Sequence, residues 1–378
     1  MTSLREIVNL VVDLATVRAD AKSPAGIEIA PAERADEQTL AWIDETFGGA
    51  WSSEAHAGSN VIARRAGRLV GFATIDPKGL EFSWLNGIAR EPGAGVFGPF
   101  GVAPEERDRG LGRSLLGAAL DALRARGYTR AIVPAVGDDR LERYYRESTG
   151  ANVAERYDRA ALIRPGRRTL VMASGNGTNF QAVLDAAGSG ALPLEIVALV
   201  ANNERAHAIE RARAAGIPSI AVLPWNRKQE SRADYDARLL QATAAQAPDL
   251  VLLLGWMHLL PDSFVRAFPE MLNLHPAFLP LDPERDAVTM PDGTQIPAFR
   301  GPHAVRDAFR ASSEWVGATL HRVTGATDRG PVMARKPMSV VPGESEEQLM
   351  ERLHMVEHEL VIAGVTRWLY ERPSSPGR

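Results

Sequence analysis

Leu272-Asn273-Leu274-His275-Pro276 carries a carboxamide and an imidazole two residues apart. In an extended strand that spacing puts both side chains on one face. An asparagine N–H can stabilise a developing oxyanion, and a histidine can carry a proton near neutral pH. Asp328, in the turn Thr327-Asp328-Arg329-Gly330-Pro331-Val332 that follows a strand-like run at 317–321, can orient His275 and hold its charged form. Spacing alone also suits a purely structural Asn-x-His pair. A second feature is Ala173-Ser174-Gly175-Asn176-Gly177-Thr178-Asn179. Its glycines allow a tight turn, and amides at the start of a following helix can hold an anion such as phosphate. A simple structural turn fits equally. A third is the segment 102–114, Val-Ala-Pro-Glu-Glu-Arg-Asp-Arg-Gly-Leu-Gly-Arg-Ser. It joins a strand to an amphipathic helix, where amides and arginine charge can cradle a pyrophosphate.

The elements that must place these residues follow from apolar spacing. Beyond residue 168, continuous apolar runs at 170–173, 196–201, 220–223 and 250–254 alternate with helical patterns at 179–187, 206–215 and 232–246. Such alternation predicts a mostly parallel sheet covered by helices, with ligands at the carboxyl ends of the strands. That edge collects residues 174–179, 255–260 and 273–276. Before residue 164, strands are predicted at 27–30, 61–65, 69–75, 96–102 and 131–134. A helix is predicted at 35–47, and another where Leu115, Leu116, Ala119, Leu120 and Leu123 recur at helical spacing. Ala66-Gly67-Arg68 reads as a hairpin turn. Arg164-Pro165-Gly166-Arg167-Arg168 has linker composition. The expected fold class is therefore α/β in two domains, 1–164 and 168–378. Residues 1–23, with an apolar stretch at 7–15, are expected to add a helix packed on its own domain or on a partner chain. Residues 373–378 are expected to form a frayed end.

A chain of 378 residues with 45% hydrophobic and 24% charged residues has apolar content for two cores. It has no cysteine, which excludes disulfides, a thiolate nucleophile and a cysteine-ligated metal. The net charge of -4 argues against nucleic acid or an anionic membrane as partner. Asn9 and Asp13 interrupt the first apolar stretch, which is too short and polar to span a bilayer. A cytoplasmic protein is expected.

Several motifs in the second half run in a recognisable order: 174–179, Ser231-Arg232 with Tyr235, Ala247-Pro248-Asp249, Gly255-Trp256-Met257, Asn273-Leu274-His275-Pro276, His321 and Asp328-x-Gly330-Pro331-Val332. Together they resemble the glycinamide ribonucleotide transformylases over residues 168–371. The resemblance implies a Rossmann-like domain that moves a formyl group from 10-formyl-tetrahydrofolate to a small primary amine without a metal. It implies Asn273, His275 and Asp328 as the catalytic trio, with Asn273 and a protonated His275 stabilising the oxyanion and Asp328 favouring the imidazolium. Gly177, Thr178 and Asn179 match the loop that holds the phosphate of the acceptor. Glu357 matches an acidic residue that contacts the acceptor; a solvated flank beside Leu349, Leu353, Val356 and Leu360 is its bland alternative. Arg232, Met257, His258, Leu259 and Leu260 match the folate pocket. Thr324, Gly325, Ala326 and Thr327 match a loop that closes on the pterin. Two departures stand out. An insertion at 281–299, with Asp282, Asp286 and Asp292, precedes Gly301-Pro302-His303, and Trp256 and His258 stand where Phe and Arg are usual. The retained phosphate loop favours a phosphorylated acceptor, whose identity the insertion leaves open.

The loop at 107–114, the opening Ile27-Glu28-Ile29-Ala30-Pro31-Ala32 and the hairpin at 67–72 resemble the GNAT acetyltransferases. The implied ligand is acetyl-coenzyme A (acetyl-CoA), held by Val102, Arg107, Gly110, Gly112, Arg113 and Ser114. Tyr145 of the Tyr144-Tyr145 pair is implied as the acid that protonates the leaving thiolate, with Tyr144 the alternative. Glu81, Glu105 and Glu106 are the candidates for a base. The resulting expectation is a bifunctional chain of a specialised pathway. It would formylate glycinamide ribonucleotide or a related glycine-like or hydrazine amine, and also transfer acetyl groups. The alternative is a purine-biosynthetic formyltransferase whose first domain only senses acyl-CoA or mediates dimerisation; a homodimer is left open.

Overall fold

A computed structural model of the protein describes residues 6–17, 23–77 and 79–371. The chain divides into two compact units. The first carries Trp51–Arg164 with the residues before Gly48 and after Trp368, and the second carries Gly48–Ala50 and Pro165–Trp368.

The first unit runs β1 (Glu6–Asp13), β2 (Ile27–Ala32), α1 (Glu37–Phe47), α2 (Ser52–Ala57), β3 (Ser59–Arg65), β4 (Arg68–Ile75), β5 (Ala94–Val102), α3 (Leu111–Ala125), β6 (Arg130–Val136), α4 (Asp139–Thr149) and β7 (Asn152–Asp158). Its seven strands form one sheet in the order β2-β3-β4-β5-β6-β1-β7, antiparallel except for β5 beside β6. Helix α3 buries Leu111, Leu115, Leu116, Ala119, Leu120 and Leu123 against Val61, Val70 and Ala73 of the sheet. Each such leucine contributes about 1.5–3 kcal/mol by leaving water. Asp138 caps α4 by accepting from the N–H groups of Arg140 and Leu141, at 2.7 and 3.0 Å.

One expectation needs correction here. The apolar stretch near the N-terminus is not a helix: it is strand β1, hydrogen-bonded to β6 on one side and β7 on the other. Val8, Leu10 and Val12 face the core below α3. Ile7 is buried too, so the apolar run is nearly continuous and its period does not separate a buried strand from a helix. Its β-branched Ile7, Val8, Val11 and Val12 favour the extended form. The rest of the expected helix, at 1–5 and 18–22, and the expected frayed end at 373–378 lie outside the described residues.

The second unit runs β8 (Arg168–Ala173), α5 (Thr178–Gly188), β9 (Glu195–Ala201), α6 (Ala208–Ala214), β10 (Ser219–Val222), α7 (Arg232–Ala244), β11 (Leu250–Leu254), α8 (Asp262–Ala267) and β12 (Met271–His275). It continues with β13 (Ala287–Thr289), β14 (Gln295–Pro297), α9 (Ala304–Arg310), β15 (Trp315–Arg322), β16 (Val332–Ser339) and the long α10 (Glu346–Tyr370). Its main sheet has the order β10-β9-β8-β11-β12-β15-β16. The strands are parallel up to β12, and β15 and β16 add an antiparallel edge. The predicted strands and helices of this half are present, and buried apolar strands such as β11 explain why a parallel sheet was readable. From β8 the chain winds outward through β9 and β10, then restarts on the other side with β11. That reversal opens a crevice at the carboxyl ends of β8 and β11. Within the insertion, β13 and β14 form a hairpin that pairs Ala287 with Pro297 and Thr289 with Gln295.

Candidate active site

Strand β12 presents Asn273 and His275 on one face, and β15 pairs beside it with His321 opposite Asn273. Asp328, in the turn between β15 and β16, reaches back to all of them. Its carboxylate lies 3.6 Å from His275 Nδ1 and 3.5 Å from His321 Nε2. It accepts from Asn273 Nδ2–H at 3.4 Å and from the Gly301 N–H at 2.8 Å. Asp328 adopts φ 51, a left-handed conformation that costs a non-glycine residue free energy, so the surrounding contacts must hold it there. Gly330 makes the turn possible: a Cβ on it would stand 1.6 Å from the Arg322 carbonyl oxygen.

Burial pushes the Asp328 carboxyl up, but the hydrogen bond to His321, the charge of His275 and the Gly301 N–H outweigh it and hold the group well below the usual range. His275 is almost fully buried. That desolvation lowers it below its ordinary value, although the Asp328 charge and the Phe299 carbonyl act the other way. That direction favours the neutral imidazole in the free protein, whereas the resemblance implies a protonated one during the reaction. His275 Nε2–H donates to the Phe299 carbonyl at 2.8 Å. His321 Nδ1–H donates to the Arg322 carbonyl at 2.9 Å, and its Nε2 lies 3.2 Å from Asn273 Nδ2 and 3.5 Å from the Asp328 carboxylate.

The Gly-rich turn leads into α5, whose first amides have no partner within the helix. Gly177 has φ 73, and a Cβ there would meet that of Ala208 at 2.8 Å. Arg211 Nε donates to the Asn176 carbonyl at 2.9 Å, which brings a cation to this turn. Asn179 Nδ2 donates to Glu357 at 2.8 Å, and its Oδ1 is buried without a partner among the described residues. Glu357 is buried rather than a solvated flank. Desolvation raises it above the usual carboxylate range, against the hydrogen bond from Asn179 and the charge of His354.

The ends of β8 and β11 are tied together: Ser174 N–H donates to the Gly255 carbonyl and Met257 N–H to Ser174 Oγ, each at 3.1 Å. Beyond them, Met257 and Leu259 expose apolar side chains to solvent. The Arg232 guanidinium bonds the Leu259 carbonyl. Trp225, Tyr235 and Trp256 each meet His258 edge-to-face behind this segment, with Trp225 stacked on Tyr235, and the indole N–H groups of Trp225 and Trp256 are buried without a partner among the described residues. His258 is pushed down by burial and then by Arg232 and Arg227, and it shares a 3.2 Å hydrogen bond with the Tyr235 hydroxyl. Residues Thr324–Thr327 flank the same edge, since a Cβ on Gly325 would lie 2.9 Å from Asp262 Oδ1 just past Leu260. Arg232, Tyr235, His258, Leu259 and Gly325 thus lie together beyond β11, while Gly177 opens α5 beyond β8.

In the first unit, Val102 ends β5 and its carbonyl accepts from Arg107 Nε at 3.2 Å. Gly110, with φ 86, precedes α3, where Gly112, Arg113 and Ser114 form the first turn. Tyr145 and Tyr144 differ in their surroundings. It sits in the apolar core, edge-on to Phe97 at 6.1 Å, and desolvation raises its hydroxyl. Tyr144 faces the loop instead, since a Cβ on Gly112 would be 3.2 Å from its hydroxyl. That hydroxyl has no partner among the described residues and is pushed up to about 12 by burial. Glu106 is locked to Arg65 at 2.7 and 2.9 Å, which holds it low, and Glu81 pairs with Arg90 at 2.5 Å.

Sequence reasoning assigned no role to His321 or Arg211. His321 needs knowledge of which strand pairs with β12, and Arg211 needs the packing of α6 on the turn; neither is written in local spacing.

Comparison with known proteins agrees with this division. The GNAT family of acetyltransferases matches residues 24–151. A phosphoribosylglycinamide formyltransferase of Mycobacterium tuberculosis is 37% identical over 199 residues, covering 52% of this chain and 83% of the relative. The proteins of that name from Escherichia coli and Bacillus subtilis are 33% and 31% identical, covering 50% and 51% of this chain and 81% and 89% of the relatives. The formyl transferase family matches residues 167–283 and 293–365, passing over 284–292 in the insertion. The chain belongs to the formyl transferase family and carries a GNAT acetyltransferase domain ahead of its formyltransferase domain.

Proposed function

We propose that the second unit transfers a formyl group from 10-formyl-tetrahydrofolate to the primary amine of a small phosphorylated acceptor, glycinamide ribonucleotide or a related glycine-like or hydrazine compound. The convergence of Asn273, His275 and Asp328 at the carboxyl edge of the sheet carries this reading. The indole N–H groups without a partner among the described residues, the exposed Met257 and Leu259 and the Arg232 edge fit an aromatic, amide-bearing ligand such as a folate. When bound, the folate supplies an electrophilic formyl carbon.

The chain's own residues then do the rest. Asn273 donates an N–H to the carbonyl oxygen as it gains charge. Neutral His275 takes the proton from the attacking amine, and the carboxylate of Asp328 favours the imidazolium so formed. His275 then returns that proton to the departing nitrogen. The α5 amides and Gly177-Thr178-Asn179 hold the acceptor's phosphate, and Glu357 contacts the acceptor. Much of the acceleration comes from holding two substrates together.

The test is release of tetrahydrofolate from 10-formyl-tetrahydrofolate with glycinamide ribonucleotide or with a panel of small amines. Ribonucleotide turnover matching that of dedicated enzymes overturns the specialised-pathway reading. No turnover with any amine overturns formyl transfer itself. Gly177→Ala meets both a positive φ and the Ala208 contact. At about 1–2 kcal/mol for the left-handed conformation, it raises the KM for a phosphorylated acceptor about tenfold and spares kcat. An unchanged KM removes the loop from the acceptor site.

The first unit binds acetyl-CoA at the Gly110–Ser114 turn for acyl transfer, with Val102, Arg107 and Arg113 around it and Tyr144 rather than Tyr145 as the acid. Titration calorimetry gives a binding heat for the wild type and none for Gly112→Leu, because the new side chain fills the space below Tyr144. Equal heats leave the GNAT unit without this site.

A further inference from the structure

The stretch that the family pattern passes over, 284–292, is not an appendage beside the cleft. It leads into hairpin β13–β14, and the arm that leaves the hairpin enters the reactive cluster directly. Three consecutive residues of that arm touch it. The Phe299 carbonyl accepts from His275 Nε2–H at 2.8 Å, Arg300 Nε donates to the Asp328 carbonyl at 3.2 Å, and Gly301 N–H donates to the Asp328 carboxylate at 2.8 Å. From this geometry we infer that the insertion is a positioning device for His275: its Phe299 carbonyl is the hydrogen-bond acceptor for the imidazole, and an ion cluster centred on Asp286 keeps that carbonyl in place. The inference rests on the formyl transfer proposed above for its consequence in catalysis.

Asp286 has the connections such a clamp needs. Its carboxylate takes Arg300 Nη1 at 2.9 Å and Arg329 Nη2 at 2.5 Å, and its backbone carbonyl accepts from Ala298 N–H at 2.9 Å. Arg329, next to Asp328, also reaches the Pro283 carbonyl at 2.5 Å. One carboxylate therefore binds the residue after Phe299 and the residue after Asp328, and its backbone closes the hairpin. The Asp286 side chain is largely exposed, so its removal spares the core. His275 is faced by the Asp328 carboxylate, the Phe299 carbonyl, His321 on β15 and Arg300 on the arm, with neutral Asn273 on its own strand. Of these, Phe299 is the one partner that reads Nε2, the nitrogen turned away from Asp328. With Phe299 loosened, the imidazole loses the contact that fixes its rotation and the site of its proton.

The experiment follows the His275 Hε2 signal by NMR on histidine-labelled protein without substrate, assigned by its absence in His275→Asn, alongside kcat and KM for formyl transfer. Wild type shows a slowly exchanging Hε2. In Asp286→Ala and in Arg329→Gln its exchange is at least tenfold faster, and kcat falls about tenfold to a hundredfold with KM for the formyl donor unchanged. Asp286→Glu, which keeps the charge, restores most of both. Unaltered Hε2 exchange in both variants overturns the inference, and so does faster exchange with wild-type kcat. If the wild type moves no formyl group, the functional reading fails while the NMR arm still decides whether the clamp orders the imidazole.

Discussion

His275→Ala abolishes formyl transfer, with a loss of about a hundredfold to ten-thousandfold in kcat, while the folded second unit keeps its melting transition. The imidazole is the one group of the cluster able to pass a proton between two nitrogens; Asn273 only donates and Asp328 stays charged. Asp328→Asn gives a loss of the same order by another route, because the amide keeps the shape of the turn and removes the charge that favours the imidazolium. The pH profile separates the two roles. Burial lowers His275, so kcat/KM rises with pH through that lowered value and is level above it. An enzyme that needed the imidazolium from the start would instead lose activity as pH rises through the same point. In Asp328→Asn, loss of the carboxylate lowers His275 further. Any surviving activity then reaches its plateau at a lower pH and at a lower height. Wild-type turnover in His275→Ala sinks the assignment of the proton carrier.

The meeting of these residues was readable because the period of a strand and the alternation of strand and helix are short-range signals. Asn273 and His275 had to share a face, and the carboxyl edge of a parallel sheet had to gather 174–179, 255–260 and 273–276. Other features depend on partners distant in sequence. His321 joins the cluster through a register between β12 and β15. Phe299 and Arg300 join it through a hairpin whose strands are only three residues each, too short for a periodic signal. Which of Tyr144 and Tyr145 faces the Gly112 turn depends on which side of α4 packs on Phe97, and adjacent residues on a helix give no hint of that without the neighbouring strand. The lowering of His275 was likewise hidden, since desolvation depends on burial that only the assembled sheet supplies.

Leu10→Asp unfolds the first unit, although the segment around it reads equally well as a peripheral helix. Leu10 is fully buried. It stands in the strand between β6 and β7, opposite Val133 and Val153, and packs with Val8 and Val12 under α3. A carboxylate there has no cation within the apolar cluster, and an unpaired buried charge together with the lost leucine costs about 4 kcal/mol or more. Domains are stable by only about 5–15 kcal/mol, so this one change removes most of the margin. The opposite face of the strand supplies the control. Asn9 donates to the Trp84 carbonyl at 2.9 Å and to Glu155 at 2.8 Å and accepts from Ala135 N–H at 3.0 Å, so Asn9→Leu leaves those groups unpaired and costs about 1–3 kcal/mol for each one stranded. A helix lying on the surface would tolerate an aspartate at one of these positions by turning it to water. A strand hydrogen-bonded on both edges cannot turn. Thermal melting followed by circular dichroism, with acetyl-CoA binding as the readout of the first unit, decides: an unchanged transition in Leu10→Asp would remove β1 from the centre of the sheet.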